Sequence, residues 1–322
     1  DPVMLWIGGV AKAPDYPSIG RPWGYPLDLR GTMPKAPSSG LPPDSYQDGR
    51  GLVVMRSDWT EGATYAAFQL GDVTSNHSHN DSGSFVIYKN GHLAEDTGKS
   101  LPLGDKDFPD HQKGYTSLAI AHNVVVVKDP ADTFVPNDGG QRAVCSSWLP
   151  SHRDLGDYVQ QRELYETGDI TVYEAHPEYV YAAGDVTAAY QNSLSGRAEA
   201  DVPAELKRAA ADGRQRTRRF EAITRAFLYI RPDYFAVFDR VVSLNPDFEK
   251  RWLLHTTSEP KTTGDTVEVV REQVVKSALE ILPPEVFGGK LNDQKTQFNY
   301  QYHGKLLCRT LLPADFVITA VG

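Results

Sequence analysis

Short runs of β-type residues, separated by turn residues, fill the chain from Leu52 onward and constrain its fold more than any other feature. Apolar runs bounded by Gly, Asn and Asp are typical of strands, and the lack of helix–strand alternation favours antiparallel pairing. The sequence therefore predicts an all-β protein built as a large antiparallel β-sandwich. The clearest runs are GLVVMRS (51–57), TYAAFQL (64–70), SFVIYKNGHLAED (84–96), HNVVVVKD (122–129), ITVYEAH (170–176), RAFLYI (225–230) and YFAVFDRVV (234–242).

Local signals place a turn, a buried strand and two short helices within this pattern. KNGH at Lys89–His92 predicts a two-residue Asn-Gly hairpin turn between two strands. The four valines at 124–127 are typical of a strand buried between two sheets. Helical period is confined to Val186–Leu194, with Asp185 as its N-cap, and to Ala204–Ala211.

The first 50 residues differ from the rest of the chain in composition. Residues 1–50 are rich in proline and glycine, which support little regular structure, and they predict a linker that leads into the folded domain. We therefore assign residues 51–322 to the β-sandwich domain, with room for a smaller sheet within 258–322. The chain opens at Asp1-Pro2 without an initiator methionine, so we expect a segment to precede it.

Composition excludes several classes of protein. Hydrophobic residues make up 40% of the chain, with 16 Tyr and 12 Phe, which is typical of a folded globular protein. A net charge of −9 argues against a nucleic-acid partner. No apolar run approaches the roughly 20 residues of a membrane-spanning helix. The two cysteines, Cys145 and Cys308, are too few for a disulfide scaffold, and a single bridge or two buried thiols both remain open.

Three polar features that include His77, His79 and His122 follow one another between residues 77 and 122. HSHND places His77 and His79 two residues apart, Asp96 precedes a Thr-Gly turn, and His122 opens a strand. Residues two apart on extended backbone share a face, and adjacent strands can bring Asp96 and His122 to His79. Two imidazoles and one carboxylate suit Zn²⁺ with a fourth position open. The alternative is a set of hydrogen-bonded turn residues.

Asp81 closes the HSHND motif and has two interpretations. It can orient one of the imidazoles by a hydrogen bond from behind a metal site. It can equally form an Asx-type turn in HNDSG.

These segments resemble a known family. HSHNDSGSFVIYKNGHLAEDTG (77–98), GYTSLAIAHNVVVVKDPADTF (114–134) and NDGGQR (137–142) resemble, in this order, the C-terminal β-sandwich of heparinase II and related polysaccharide lyases. The resemblance implies an enzyme in two parts, an (α/α) toroid followed by an antiparallel sandwich (supersandwich), with the substrate cleft between them. The toroid is absent from this chain, and residues 1–50 then correspond to its tail and the linker.

The resemblance also implies the roles of four residues. A structural zinc ion would be held by His79, Asp96 and His122. His77 would face the cleft as the catalytic residue, acting as a base on the C5 proton or contacting the uronate carboxylate.

Two further groups are candidates for substrate contacts. Tyr115 could stack on a sugar ring or donate its hydroxyl, and its alternative is packing at the rim of the core. Arg214, Arg216 and Arg218 lie at strand period, and Arg219 and Arg225 extend the basic cluster. These arginines could bind sulfates or uronates. Their alternative is a solvated strand edge, where charge opposes sheet-to-sheet pairing.

The resulting hypothesis is the β-sandwich portion of a polysaccharide lyase. The intact enzyme would cleave a uronic-acid polysaccharide, with heparin or heparan sulfate favoured, by β-elimination. Its expected partners are the acidic polysaccharide and the toroid; a homodimer is left open, and a periplasmic or secreted location is expected. The alternative is a zinc-stabilised sandwich that binds carbohydrate or serves a structural role without catalysis, because a fold alone does not establish activity.

Overall fold

A computed structural model describes residues 42–60, 62–72, 78–97, 115–128, 140–141, 166–190, 220–256, 258–275 and 300–320. Its strands are β1 (Asp44–Gln47), β2 (Leu52–Arg56), β3 (Tyr65–Gln69), β4 (Phe85–Tyr88), β5 (His92–Ala94), β6 (Val125–Lys128), β7 (Asp169–Ala175), β8 (Tyr179–Asp185), β9 (Phe220–Ile230), β10 (Tyr234–Ser243), β11 (Glu249–Trp252), β12 (Lys261–Thr263), β13 (Thr266–Val275) and β14 (Tyr300–Arg309). Short helices are the 3₁₀ turns Asp48–Arg50 and Ala119–Ala121 and the helix α1 (Thr187–Tyr190).

The strands form four antiparallel sheets within the described part of the chain. Sheet 1 has the order β1-β2-β3-β4-β5, and sheet 2 has the order β10-β9-β8-β7. Strand β11 pairs with β6, and β12, β13 and β14 form a three-stranded sheet. The prediction of an all-β, antiparallel protein is confirmed.

Sheets 1 and 2 pack face to face, because the alternation of buried and exposed residues gives each one an apolar inner face. In β9, Ile223, Phe227 and Tyr229 are buried while their neighbours along the strand are more exposed. The Phe227 ring stacks on Phe68 of sheet 1 at 5.5 Å between ring centroids and meets Phe85 at 5.3 Å. Burying one such side chain stabilises the fold by about 1.5–3 kcal/mol. The predicted sandwich is therefore held by aromatic contacts between the two sheets.

The valine run and the first predicted helix lie where the sequence indicates. Val124 to Val127 are all buried. Helix α1 begins at Thr187, whose backbone N–H donates to Asp185 Oδ1 at 2.7 Å, and the described part of the helix ends at Tyr190. The predicted helix Ala204–Ala211 lies outside the described residues.

The hairpin between β4 and β5 is longer than predicted. Tyr88 pairs with His92, and the register shifts between Ile87 and Tyr88. Three residues therefore form the loop instead of two. Its sharp reversal relies on Asn90 at φ 50° and Gly91 at φ 143°, both in the region that Asn and Gly tolerate.

The ends of the assigned sandwich contain regular structure. Strand β1, inside the segment 1–50, pairs with β2 and forms the edge of sheet 1. The sheet of β12, β13 and β14 lies within 258–320 and contacts β5. None of the helices in the described residues is long and apolar enough to cross a membrane.

Candidate metal centre

Three chain segments meet at one end of sheet 1 and carry the candidate site. Residues 78–84 lead into β4, residues 95–97 follow β5, and His122 lies between the 3₁₀ turn Ala119–Ala121 and β6. Backbone hydrogen bonds join the segments: Asn80 N–H donates to Ser117 O at 3.0 Å, and Thr97 N–H donates to Ala121 O at 3.3 Å. Polar side chains from distant parts of the sequence are thereby brought together.

His79, Asp81 and His122 form a group with the composition of a metal site. One ligand atom from each of them lies within 4.8 Å of the others. The His79 and His122 rings are 5.3 Å apart between centroids and are inclined by 40°. Two imidazole nitrogens and a carboxylate oxygen are ligands that Zn²⁺ accepts in tetrahedral sites.

The two nitrogens of His122 have different surroundings. The side chain is 0% exposed, and Nδ1 lies 2.9 Å from Asp96 Oδ1. Nε2 is also buried and has no hydrogen bond of normal geometry among the described residues. Burying a polar atom without a partner costs free energy. A metal ion on Nε2, with Asp96 accepting from Nδ1–H, would remove that cost and reproduce a carboxylate–histidine–metal arrangement.

The ionisable groups of the site shift one another's pKa values. Burial raises the pKa of Asp81 to about 6, against a smaller lowering effect of His122. Burial lowers the pKa of His122, but the hydrogen bond and the charge of Asp96 outweigh it, with smaller contributions from Asp81 and the Thr116 backbone, so that the pKa lies above its ordinary value. Two carboxylates and two imidazoles close together in a partly desolvated site form a ready receptor for a cation.

The predicted ligands His79, Asp96 and His122 all lie at this centre, and the structure adds Asp81. Asp96 is the more exposed carboxylate, with a side chain that is 41% exposed. Its Oδ1 is in contact with His122 Nδ1, whereas Asp81 belongs to the three-residue donor group. The site therefore has two histidines and two carboxylates from which a ligand set can be drawn.

Tyr115, a predicted substrate contact, lies beside this centre and is half-buried. Its hydroxyl is 2.9 Å from Thr97 Oγ1. Thr97 Oγ1 in turn donates to Ala121 O at 2.7 Å. Because a threonine hydroxyl has a single proton, the Tyr115 hydroxyl is the donor in its own bond. Tyr115 thus links the segments that precede His122 and follow Asp96.

The framework of the site contains buried polar residues whose roles the sequence did not indicate. Gln141 Oε1 accepts from Ser82 N–H at 3.1 Å, and Gln141 Nε2 donates to Ser82 O at 2.5 Å. Asn123 Nδ2 donates to Phe85 O at 2.8 Å and to Glu95 O at 3.0 Å. Gln141 stands in NDGGQR (137–142) and Asn123 in the segment 114–134, both noted above, and their neutral amides hold the loops by satisfying backbone groups.

The assignment of Arg225 to an exposed basic cluster is wrong. Its side chain is 2% exposed and is paired with Asp239. The sequence signal was its position in β9, since Ile223, Arg225, Phe227 and Tyr229 recur with period two on the inner face. An arginine on an apolar face requires a partner, and Asp239 of β10 provides it.

The remaining predicted site residues fall outside the described residues. They are the catalytic candidate His77 and the basic candidates Arg214, Arg216, Arg218 and Arg219. Cys145 lies outside them as well, and Cys308 is a free thiol.

Comparisons with known proteins identify a family and similar solved structures. The family profile described as "Heparinase II/III-like, C-terminal" matches residues 41–297. Heparan sulfate lyase HepC from Pedobacter heparinus has 14% identity and a TM-score of 0.46, over 76% of this chain and 29% of that chain. A heparinase III gene product has 13% identity and a TM-score of 0.48, over 73% of this chain and 28% of that chain. No curated protein sequence matches the chain. The chain thus spans less than a third of the length of these two structures.

Proposed function

We propose a function for this chain on the premise that it belongs to the heparinase II/III-like, C-terminal family. The chain is the β-sandwich part of a polysaccharide lyase, and the intact enzyme cleaves a uronic-acid polysaccharide by β-elimination. Heparin and heparan-sulfate-like glycosaminoglycans are the favoured substrates. A structural zinc ion beside the cleft is part of this proposal.

The observation that supports the metal in this proposal is the buried Nε2 of His122, which makes no hydrogen bond of normal geometry within the described structure and lies beside His79 and Asp81. His79 and His122 would hold the ion together with a carboxylate, for which Asp96 is the predicted ligand and Asp81 the one that the geometry adds. Bound there, zinc would tie the segment 78–84 to the start of β6, because its ligands come from both. We assign the ion a structural role and route no chemical step through it.

The chemistry of β-elimination defines what the protein side chains must do. A base takes the proton from C5 of the uronate, the bond from C4 to the leaving oxygen breaks, and a C4=C5 double bond forms. An acid protonates the leaving oxygen. The C5 proton is only weakly acidic as long as the adjacent uronate carboxylate stays charged. Hydrogen bonds or cations must therefore neutralise that carboxylate. A base, an acid and a carboxylate clamp must therefore meet in one cleft.

His77 is the proposed catalytic residue on this wall of the cleft. It precedes His79 by two residues, so a metal that fixes His79 also anchors the segment that bears His77. A histidine can exchange a proton near neutral pH. Tyr115 and the arginines 214, 216 and 218 are proposed contacts for the polysaccharide.

The rest of the cleft would come from an (α/α) toroid, which is the proposed partner of this chain. The chain spans only 29% of the heparan sulfate lyase structure described above. The activity of a whole lyase therefore belongs, in this proposal, to the sandwich together with its toroid.

The experiment that tests the function uses toroid and sandwich together on a panel of uronic-acid polymers. Ultraviolet absorbance of the unsaturated product should rise with heparin or heparan sulfate. Absorbance from a different uronan would revise the substrate and retain the lyase. If no polymer is cleaved while the protein binds zinc and retains polysaccharide on an affinity gel, the non-catalytic carbohydrate-binding sandwich is the correct alternative.

A further inference from the structure

A buried arginine lies directly behind the candidate metal centre. Arg225 is on the inner face of β9, with a side chain that is 2% exposed, and its guanidinium carbon lies 6.0 Å from the centre of the Phe85 ring. A buried guanidinium must be paired and fully hydrogen-bonded, since an isolated charge in the interior is very costly. Its partners therefore show what the residue does.

One edge of the guanidinium is held by a carboxylate. Nε of Arg225 donates to Asp239 Oδ1 at 2.7 Å, and Nη2 donates to Asp239 Oδ2 at 2.9 Å. Residues 225 and 239 are directly opposite each other in the pairing of β9 with β10. This bidentate geometry is the most specific that an arginine and a carboxylate form, and it fixes the plane and direction of the guanidinium.

The remaining nitrogen, Nη1, donates hydrogen bonds to both loops of the metal centre. Nη1 of Arg225 donates to Gly83 O at 2.7 Å and to Asn123 O at 2.6 Å. Gly83 follows Asp81 by two residues, and Asn123 directly follows His122. Because both carbonyls meet at the same nitrogen, Arg225 links the loop of Asp81 to the loop of His122 and helps to fix the distance between them.

We propose that Arg225 is a positioning residue that preorganises the metal donors, with Asp239 as the group that aims it. The proposal rests on the metal site of the proposed function. Arg225 acts on the donors through the backbone of their loops, to which it donates its hydrogen bonds. Ligands held at the right separation before the ion arrives bind it more tightly, because less ordering is left to be done on binding.

A lysine cannot replace this arrangement even though it retains the charge. Its ammonium is a compact point charge without a planar fork, so it cannot keep a bidentate carboxylate and two carbonyls in place together. Arg225→Lys therefore separates the positioning function from charge.

Arg231 offers a matched control in the turn between β9 and β10. Its Nη2 donates to Asp44 Oδ1 at 2.5 Å, Nε to Arg56 O at 3.0 Å and Nη1 to His176 O at 2.6 Å. The side chain is 9% exposed. It thus repeats the pattern of one carboxylate and several carbonyls, but none of its partners belongs to the metal loops.

The test titrates Co²⁺ and Zn²⁺ into the metal-free wild type, Arg225→Lys and Arg231→Lys, and records the visible spectrum of bound Co²⁺. The spectrum reports coordination geometry, which a general loss of stability does not alter in the folded fraction. We expect Arg225→Lys to weaken metal binding by about tenfold or more, the scale for groups behind the ligands, and to change the Co²⁺ spectrum. Arg231→Lys should keep the affinity and spectrum of the wild type even where thermal stability falls.

Equal affinity and an identical spectrum in wild type and Arg225→Lys would overturn the positioning role while leaving the metal site intact. Equal weakening in both lysine variants would also overturn it, since the effect would then be general. If the wild type binds neither metal, the metal site of the proposed function fails and the inference fails with it. Should Arg225→Lys not fold, Asp239→Asn decides: a weaker, spectrally altered site supports the role, and an unchanged one overturns it.

Discussion

Oδ1 of Asp96 lies 2.9 Å from Nδ1 of His122 although 26 residues separate them in sequence. The contact joins the end of β5 to the start of β6 and leaves Nε2 of the same ring buried and without a regular hydrogen bond in the described structure. It also decides between two arrangements of the same residues. Asp96 is either a ligand next to His122 or the acceptor that orients the ring from behind, with Asp81 on the metal.

Variants of the two carboxylates distinguish these arrangements. If Asp96 is the ligand, as the sequence predicts, Asp96→Asn should remove zinc, whereas Asp81→Asn should retain it. A residue that only orients a ligand costs about 10–100-fold in metal affinity when it is lost. Elemental analysis and competitive zinc titration of both variants provide the measurement. Loss of zinc from Asp81→Asn, with weakened but measurable binding in Asp96→Asn, would exchange the two roles.

Removal of the metal should lower the thermal stability of the sandwich. Without an ion, His122 Nε2 remains buried without a regular partner, and burial together with the charge of Asp96 disfavours the ionised form of Asp81. Dialysis against a chelator should reduce the melting temperature, and added zinc should restore it. His79→Ala serves as the control, since it should melt at the lower temperature with or without the chelator. A chelator effect of equal size in that variant would place the metal elsewhere.

His77 and His79 should behave differently on substitution. In the complex with a toroid, His77→Ala should reduce turnover by about 10²-fold or more, which is the usual contribution of a positioned acid or base. Its zinc content and melting temperature should stay close to those of the wild type. His79→Ala should lose zinc, stability and activity together. Equal destabilisation by both substitutions would show that His77 is a ligand or a packing residue.

Asn123 should be critical for folding rather than for chemistry. Its side chain donates to the carbonyls of Phe85 and Glu95, and its Oδ1 accepts from His255 N–H at 2.6 Å. Asn123→Ala leaves these groups unpaired, and each costs about 1–3 kcal/mol when buried, so we expect a loss of about 3 kcal/mol. Urea unfolding measures it.

The control for this prediction is Asn245→Ala. Asn245 is exposed, and its side chain accepts a hydrogen bond from the backbone N–H of Asp247 at 3.0 Å. Its substitution should change the free energy of unfolding by less than about 0.5 kcal/mol. A similar loss in both variants would mean that the network around Asn123 contributes no more than a surface turn.

The chain by itself should fold and bind zinc without cleaving polysaccharide. On the proposed mechanism it provides one wall of the cleft, and base, acid and carboxylate clamp must act together in fixed geometry. Addition of the toroid, fused or as a separate chain, should restore product absorbance. Product release by residues 1–322 alone at the rate of the complex would show that all three groups belong to this chain.

The fold class followed from local patterns along the sequence. The two-residue period of the strands in 220–230 and 234–243 reflects which side of each strand faces the core, and the valine run 124–127 reflects burial on both sides of its strand. The Asn-Gly turn after β4 was visible for the same reason, because its backbone demands are local. Its length differs from the prediction, because the pairing of β4 with β5 carries a register shift between Ile87 and Tyr88 that the turn residues alone do not specify.

The histidine motifs by themselves predicted that His79, Asp96 and His122 can come together, because the ends of adjacent strands converge. Tertiary structure alone decided that Asp81 joins the donor group, that Asp96 contacts Nδ1, and that Arg225 is a buried clamp instead of part of a surface cluster. The physical reason is that periodicity specifies a face of a strand, whereas hydrogen bonds depend on distances of a few ångströms between atoms far apart in sequence. Those distances exist only once the two sheets have packed and the loops between them have found their partners.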